Sequence, residues 1–177
     1  MKKRITSKEI ALSGIAAAFA VIAVVLSYYV TVLTLAFYAL ASVALTLPLL
    51  ADSGRGCVLA YAASVGLSFL FVGYIFVMPY VIMFGPYTIL FYFLRKYLKK
   101  IYFCLPIKVA FANLSFLATY HAVGLTLADF PIVDTLPNWG KFVVIYVVLS
   151  VAFVVFDFAF AALFDLLSQR FGGRLHS

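Results

Sequence analysis

The sequence predicts an all-α integral membrane protein: a six-transmembrane-helix bundle with both termini cytoplasmic. Of its 177 residues, 67% are hydrophobic and only 11% are charged. A soluble domain of this size cannot bury so much apolar surface, because small domains leave a large fraction of their residues exposed. The apolar residues also fall into six segments of membrane-spanning length, and the basic residues cluster between them on one side.

The six apolar segments each approach the roughly 20 residues that a helix needs to cross a bilayer. The helices are expected at about residues 7–29, 33–50, 55–72, 79–97, 106–125 and 141–169, in a single transmembrane domain that covers residues 1–177. The least distinct boundary separates the first and second spans, because apolar residues continue almost unbroken across it. A five-span protein, in which one of these helices is fused or lost, is the alternative.

Lysine and arginine residues predict the orientation. With six spans, only Lys141 falls on the side opposite the termini. The side that holds the termini carries the other twelve basic residues: Lys2, Lys3, Arg4, Lys8, Arg55, Arg95, Lys96, Lys99, Lys100, Lys108, Arg170 and Arg174. Short loops rich in Lys and Arg stay in the cytoplasm, so this side is expected inside. The net charge of +7 therefore reflects membrane orientation, and no nucleic-acid partner is expected.

The segment after the N-terminal MKKR is expected to remain as an uncleaved first span, because its apolar run is long for a signal peptide. The localisation that follows is a multi-pass protein of the bacterial cytoplasmic membrane, in contact with lipid.

Catalytic and metal-binding motifs are missing from the sequence. It contains no H-E-x-x-H, no G-x-S-x-G and no G-x-x-x-x-G-K-[ST] segment. Cys57 and Cys104 form no C-x-x-C pair and both fall on the cytoplasmic side, where thiols stay reduced. The chain is therefore not expected to be an enzyme or to hold a metal or cofactor. If it transports a solute uphill, a partner or an ion gradient must supply the energy.

The first span carries small residues on two faces, which indicates close helix packing, since small side chains let helices approach each other in lipid. One stripe consists of Ser7, Ala11, Gly14 and Ala18, and the other of Ala16, Ala20, Ala23 and Ser27. Packing within the bundle explains one stripe. The second stripe is then available to dock a separate membrane protein.

The fourth span contains Gly85 and Pro86 in its middle. Pro86 cannot donate a hydrogen bond to the carbonyl of Ile82, so a kink is expected there. Carbonyl groups freed in this way can bind an ion or ligand, but neighbouring side chains usually satisfy them. A structural kink is the favoured interpretation.

Polar and aromatic side chains gather near the outer helix ends and in the loop before the sixth span. The candidates for substrate binding are Tyr28, Tyr29, Tyr120, His121, Asn138, Trp139 and Tyr146. Together they offer hydrogen-bonding and stacking groups, as small-molecule sites do. Each aromatic residue can equally be an interfacial anchor of the kind that is enriched at membrane surfaces.

Asn113 and Asp157 are the polar residues expected to be buried inside the bundle. Polar groups within spans usually point inward and pair with one another. The two residues lie at similar depths when depth is counted from the ends of their helices, so a direct hydrogen bond between them is expected. This structural role is favoured over ligand binding for Asp157. Asp165, near the inner boundary, is expected to meet water or a basic residue.

The sequence resembles the substrate-binding S components of energy-coupling factor transporters. The similarity consists of six short spans, both termini inside, and a basic N terminus that leads into KEIALSGIAAAFAVIAVV. Those proteins carry an A-x-x-x-A type pattern on the first helix, which docks a shared coupling subunit. Ala16 and Ala20 match this spacing, and Gly14 and Ala18 match it loosely. The resemblance implies a coupling transmembrane subunit, two ATPase subunits, and a small polar or aromatic substrate such as a vitamin.

Two other functions remain open. One is an ion-coupled transporter or channel for small solutes, with Asp157 as a titrating group. The other is a non-transporting membrane scaffold of cell-envelope assembly.

Overall fold

A computed structural model of the protein describes residues 6–51, 53–97, 101–124 and 138–175. Side chains are described throughout these ranges except at 101–103, 138, 139, 141, 142 and 171–175. The described chain is helical, with no strand. Its helices are α1 (Ser7–Tyr29), α2 (Thr34–Ala44), α3 (Leu47–Leu50), α4 (Gly54–Phe71), α5 (Tyr74–Pro79), α6 (Gly85–Tyr97), α7 (Ile101–Val123) and α8 (Asn138–Leu175).

Several helices are long and apolar enough to cross a membrane, which confirms an all-helical, multi-pass membrane protein. Among the described residues these spans are Ser7–Tyr29, Thr31–Leu50, Gly54–Phe71, Tyr74–Tyr97 and Val143–Arg170. The 23-residue helix α7 is about 35 Å long, which is also enough for a bilayer. A 3-10 turn at Thr31–Leu33, at the start of the second span, lies between α1 and α2, so they are distinct helices.

The spans begin and end close to the predicted positions, with four differences. The fourth span begins at Tyr74 and α7 begins at Ile101, each five residues before the predicted start. Helix α8 runs for 38 residues and extends beyond the predicted range at both ends. The second span is interrupted between α2 and α3.

Helix α1 packs closely against α2 and α4. At its start, a capping box joins Thr6 and Glu9, whose backbone N–H and side-chain oxygen atoms bond reciprocally. The face towards the bundle carries small residues that are almost completely buried: Ala16, Ala17, Ala20, Ala23 and Ser27. These side chains let the backbones of neighbouring helices approach α1 closely.

The fourth span consists of α5, a π-helical turn at Tyr80–Phe84, and α6. The irregularity therefore lies directly before Gly85 and Pro86, where the sequence predicted one. Side chains from other spans satisfy carbonyls along this span: Tyr61 donates to the carbonyl of Val81 at 2.7 Å, and Ser42 donates to that of Phe84 at 2.9 Å. These bonds support the structural interpretation of this segment.

Helix α6 packs against α8 through aromatic rings. Tyr87 and Phe91 of α6 contact rings of α8, with centroids 5.1–5.6 Å apart. The α8 rings are Phe153, Phe156, Phe160 and Phe164. Most of these pairs are edge to face, an arrangement that aromatic quadrupoles favour.

Candidate functional site

A buried ion pair joins three helices inside the bundle. One carboxylate oxygen of Asp157 on α8, Oδ1, accepts a hydrogen bond from Lys108 Nζ on α7 at 2.7 Å. The same oxygen accepts a hydrogen bond from the Tyr87 hydroxyl of α6. The Lys108 and Asp157 side chains are only 11% and 10% exposed. Because both charges are largely removed from solvent, each depends on the other for compensation.

The Lys108 side chain is directed into the bundle and not towards the near end of its helix. It lies about 10 Å along α7 from Ile101, so its long side chain could extend towards that end of the helix. Instead, its ammonium group lies 4.6 Å from the ring centroid of Phe91 and bonds to Asp157. The aromatic face and the carboxylate together hold the charge inside the bundle.

The prediction of a hydrogen bond between Asn113 and Asp157 is wrong. Asn113, which is partly buried, instead donates to Ser150 Oγ at 3.1 Å. Helices α7 and α8 are antiparallel, so a five-residue step back along α7 from Asn113 to Lys108 accompanies a seven-residue step along α8 from Ser150 to Asp157. Depth alone could not identify the partner, because partner choice also depends on the rotation and register of the two helices.

Asp165 lies where the sequence predicted, next to a basic residue. It forms an ion pair with Arg95 of α6, whose guanidinium carbon is 5.1 Å from the centroid of the Phe164 ring. Both side chains of this pair are nearly half exposed. The expectation of a basic neighbour is confirmed, and a pair this exposed contributes little to stability.

Lys108 and Tyr87 are the two residues of this site that the sequence-based assignment omitted. Lys108 had been grouped with the cytoplasmic charges because α7 was expected to start at Pro106. The segment LPIKVAF does contain a signal, since it places a single lysine within an apolar run. One lysine and one aspartate inside neighbouring spans are natural partners. Tyr87 carried no comparable signal.

The described side chains among the predicted substrate-binding residues form three separate aromatic contacts. Tyr28 contacts both Tyr29 and Phe76, with ring centroids 5.3 and 5.1 Å apart. Tyr120 and His121 are adjacent on α7, with ring centroids at 5.5 Å. Tyr146 packs edge to face on Phe116 at 5.9 Å. The side chains of Asn138 and Trp139 lie outside the described residues.

The contacts around Tyr28 and around Tyr120 lie at the same end of the bundle. Tyr74, at the start of α5, donates a hydrogen bond to the carbonyl of Ala122 at 3.0 Å, one residue after His121. Phe76, two residues further along α5, contacts Tyr28. Helix α5 thus stands between the end of α1 and the end of α7.

The four predicted docking residues of α1 divide between the inside and the surface. Ala16 and Ala20 are completely buried in the bundle, so they cannot contact another protein in this structure. Gly14 and Ala18 are exposed. A methyl group added at Gly14 would meet no atom within 4 Å. Of the four, Gly14 and Ala18 are therefore the ones that lie on the surface.

The described residues include no group of three or more His, Cys, Asp or Glu side chains that could hold a metal ion. The thiols of Cys57 and Cys104 are buried and form no disulfide.

Comparisons of the chain with protein-family models, with curated proteins and with solved structures find no match.

Proposed function

We propose that this chain is the substrate-capturing membrane subunit of an ATP-driven micronutrient importer, similar to the S components of energy-coupling factor transporters. In this proposal six spans cross the bacterial cytoplasmic membrane, with both termini in the cytoplasm. A coupling transmembrane subunit docks on the chain, and two ATPase subunits supply the energy. The substrate is a small polar or aromatic molecule such as a vitamin.

The exposed stripe of α1 is the observation that carries this proposal. We call the surface formed by Ser7, Ala11, Gly14 and Ala18 the α1 groove; all four are exposed. Larger exposed residues flank it, among them Ile10, Ile15 and Ile22. The internal packing of α1 uses a neighbouring part of the helix surface, and Gly14 meets nothing that requires a glycine. A groove of small residues that its own bundle does not need suits a helix of another protein.

The aromatic residues at the far end of the bundle support substrate capture. Tyr28, Tyr29 and His121 are exposed there, and Tyr120 is partly exposed. Hydroxyl and imidazole groups next to ring faces can both hydrogen-bond and stack on a polar aromatic molecule. In the proposed orientation this end faces outward, away from the exposed ion pair of Arg95 and Asp165.

Bulky substitutions in the α1 groove test the docking proposal. We expect Gly14→Trp and Ala18→Trp to reduce co-purification with a co-expressed coupling subunit and its ATPases by about tenfold. A tenfold loss corresponds to about 1.4 kcal/mol of binding free energy, which a bulky side chain removes by preventing close approach of the partner helix. The measurement is the amount of each partner recovered per tagged chain from solubilised membranes.

Phe19→Trp is the matched control, because Phe19 is 58% exposed and lies on another part of the α1 surface. It should retain the complex. Equal recovery of the partners with all three variants would overturn the docking assignment. Substitutions at Ala16 or Ala20 are not diagnostic, since a tryptophan there would disrupt the bundle itself.

Asp157 favours a second candidate, an ion-coupled transporter, because ionisable residues inside spans often belong to ion pathways. Its pairing with Lys108 weighs against this function, since protonating Asp157 would leave the lysine charge buried without compensation. The test is uptake by the purified chain alone in liposomes with a pH gradient. Uptake that Asp157→Asn abolishes would favour this candidate. Without partners, we expect no uptake.

A further inference from the structure

Helices α7 and α8 differ in how readily each could cross a bilayer by itself. The segment from Val143 to Phe164 on α8 contains a single charged residue, Asp157, among mostly apolar residues. It belongs to the most apolar of the five spans. Helix α7 carries Lys108 and Asn113 well inside its ends and His121 near its last turn. An uncompensated lysine within a span is costly. Helix α7 is therefore the one that needs a partner helix to be stable across the bilayer.

Lys108 and Asn113, two polar side chains in the interior of α7, both find partners on α8. Lys108 bonds to Asp157 and Asn113 bonds to Ser150. In the part of the chain that the structure describes, Lys108 does not extend to an aqueous surface; it is held between the Phe91 ring and the carboxylate. Lysine side chains in spans usually extend so that the ammonium group reaches water, and Lys108 does not do so.

We propose that α7 is retained across the bilayer by α8, with Asp157 as the residue that compensates Lys108, so that the two helices insert as one hairpin. The dependence runs in one direction. Removing Asp157 leaves a lysine in α7 without compensation, whereas removing Lys108 leaves one aspartate in a helix that is apolar enough to remain inserted.

The test measures which side of the membrane the segment between α7 and α8 occupies. A single cysteine is introduced by Asp134→Cys in a full-length chain that also carries Cys57→Ala and Cys104→Ala. The chain is made by cell-free synthesis with lipid vesicles that lack proteases, so misinserted molecules are retained and counted. A membrane-impermeant maleimide then gives the fraction of chains whose introduced cysteine is on the same side as in the parent.

We expect Asp157→Leu to lower this correctly inserted fraction on the order of threefold. Lys108→Leu and the double variant Lys108→Leu/Asp157→Leu should match the parent, because neither leaves an isolated lysine. Asp165→Leu is the control at the exposed pair and should also match. An unaffected Asp157→Leu chain, or a double variant as defective as Asp157→Leu, would overturn the proposal. A defect in Lys108→Leu as large as that of Asp157→Leu would overturn the direction of dependence.

Discussion

Asp157→Ala is expected to lower the free energy of unfolding of the folded protein in detergent by about 3–5 kcal/mol. The substitution leaves the Lys108 ammonium group buried without an opposite charge. It also removes the acceptor of the Tyr87 hydroxyl. Equilibrium denaturation of the purified protein, followed by tyrosine absorbance or fluorescence, gives the difference from the parent.

Two controls separate buried charge from other effects of this change. Asp165→Ala removes the exposed pair with Arg95 and should cost less than about 1 kcal/mol. Lys108→Met/Asp157→Leu removes both buried charges and should recover most of the loss, because apolar replacements of a buried pair are often tolerated. If Asp157→Ala proved no more costly than Asp165→Ala, the buried pair would not be structurally important.

Gly85→Ala is the second substitution for which a large loss is expected. A methyl group at Gly85 would lie 2.1 Å from Cε2 and 2.6 Å from Cδ2 of Tyr61, which is far inside contact distance. The ring cannot move away freely, because its hydroxyl is bonded to the Val81 carbonyl within the π turn. Overpacking of this kind should cost about 1–3 kcal/mol or more, measured by the same denaturation experiment.

Gly66→Ala is the matched control, since Gly66 lies inside helix α4 and has no neighbour within 4 Å of an added methyl group. It should leave stability unchanged or raise it slightly, as alanine favours helix. Tyr61→Ala in the Gly85→Ala background should restore part of the loss by removing the ring. Equal stability of the two glycine variants would contradict the close approach of Tyr61 to Gly85.

The sequence was sufficient to predict the helical, multi-pass architecture, because span length and apolar composition are properties of each segment alone. It also showed that α1 carries two stripes of small residues. Which stripe is internal could not be read from α1, because that depends on where α2 and α4 pack. The structure assigns Ala16 and Ala20 to the inside and leaves Gly14 and Ala18 on the surface.

The buried ion pair shows the limit of sequence reasoning more clearly. Counting the rise per residue placed Asp157 and Asn113 at comparable depths, but the register of α7 against α8 determines which side chains meet. The expected start of α7 at residue 106 was also five residues too late. The apolar residues before Pro106 continue the helix back to Ile101, and this extension places Lys108 inside the bundle.

The length of α8 allows its tilt in a membrane to be measured. From Val143 to Phe164 the helix covers about 33 Å, which matches a hydrocarbon core of about 30 Å with a modest tilt. Beyond the Arg95–Asp165 pair, α8 continues helically to Leu175. This continuation lengthens the helix by about 15 Å beyond Asp165. Because the helix is continuous, a spectroscopic label attached near Leu175 would move with the rest of α8 and report its tilt.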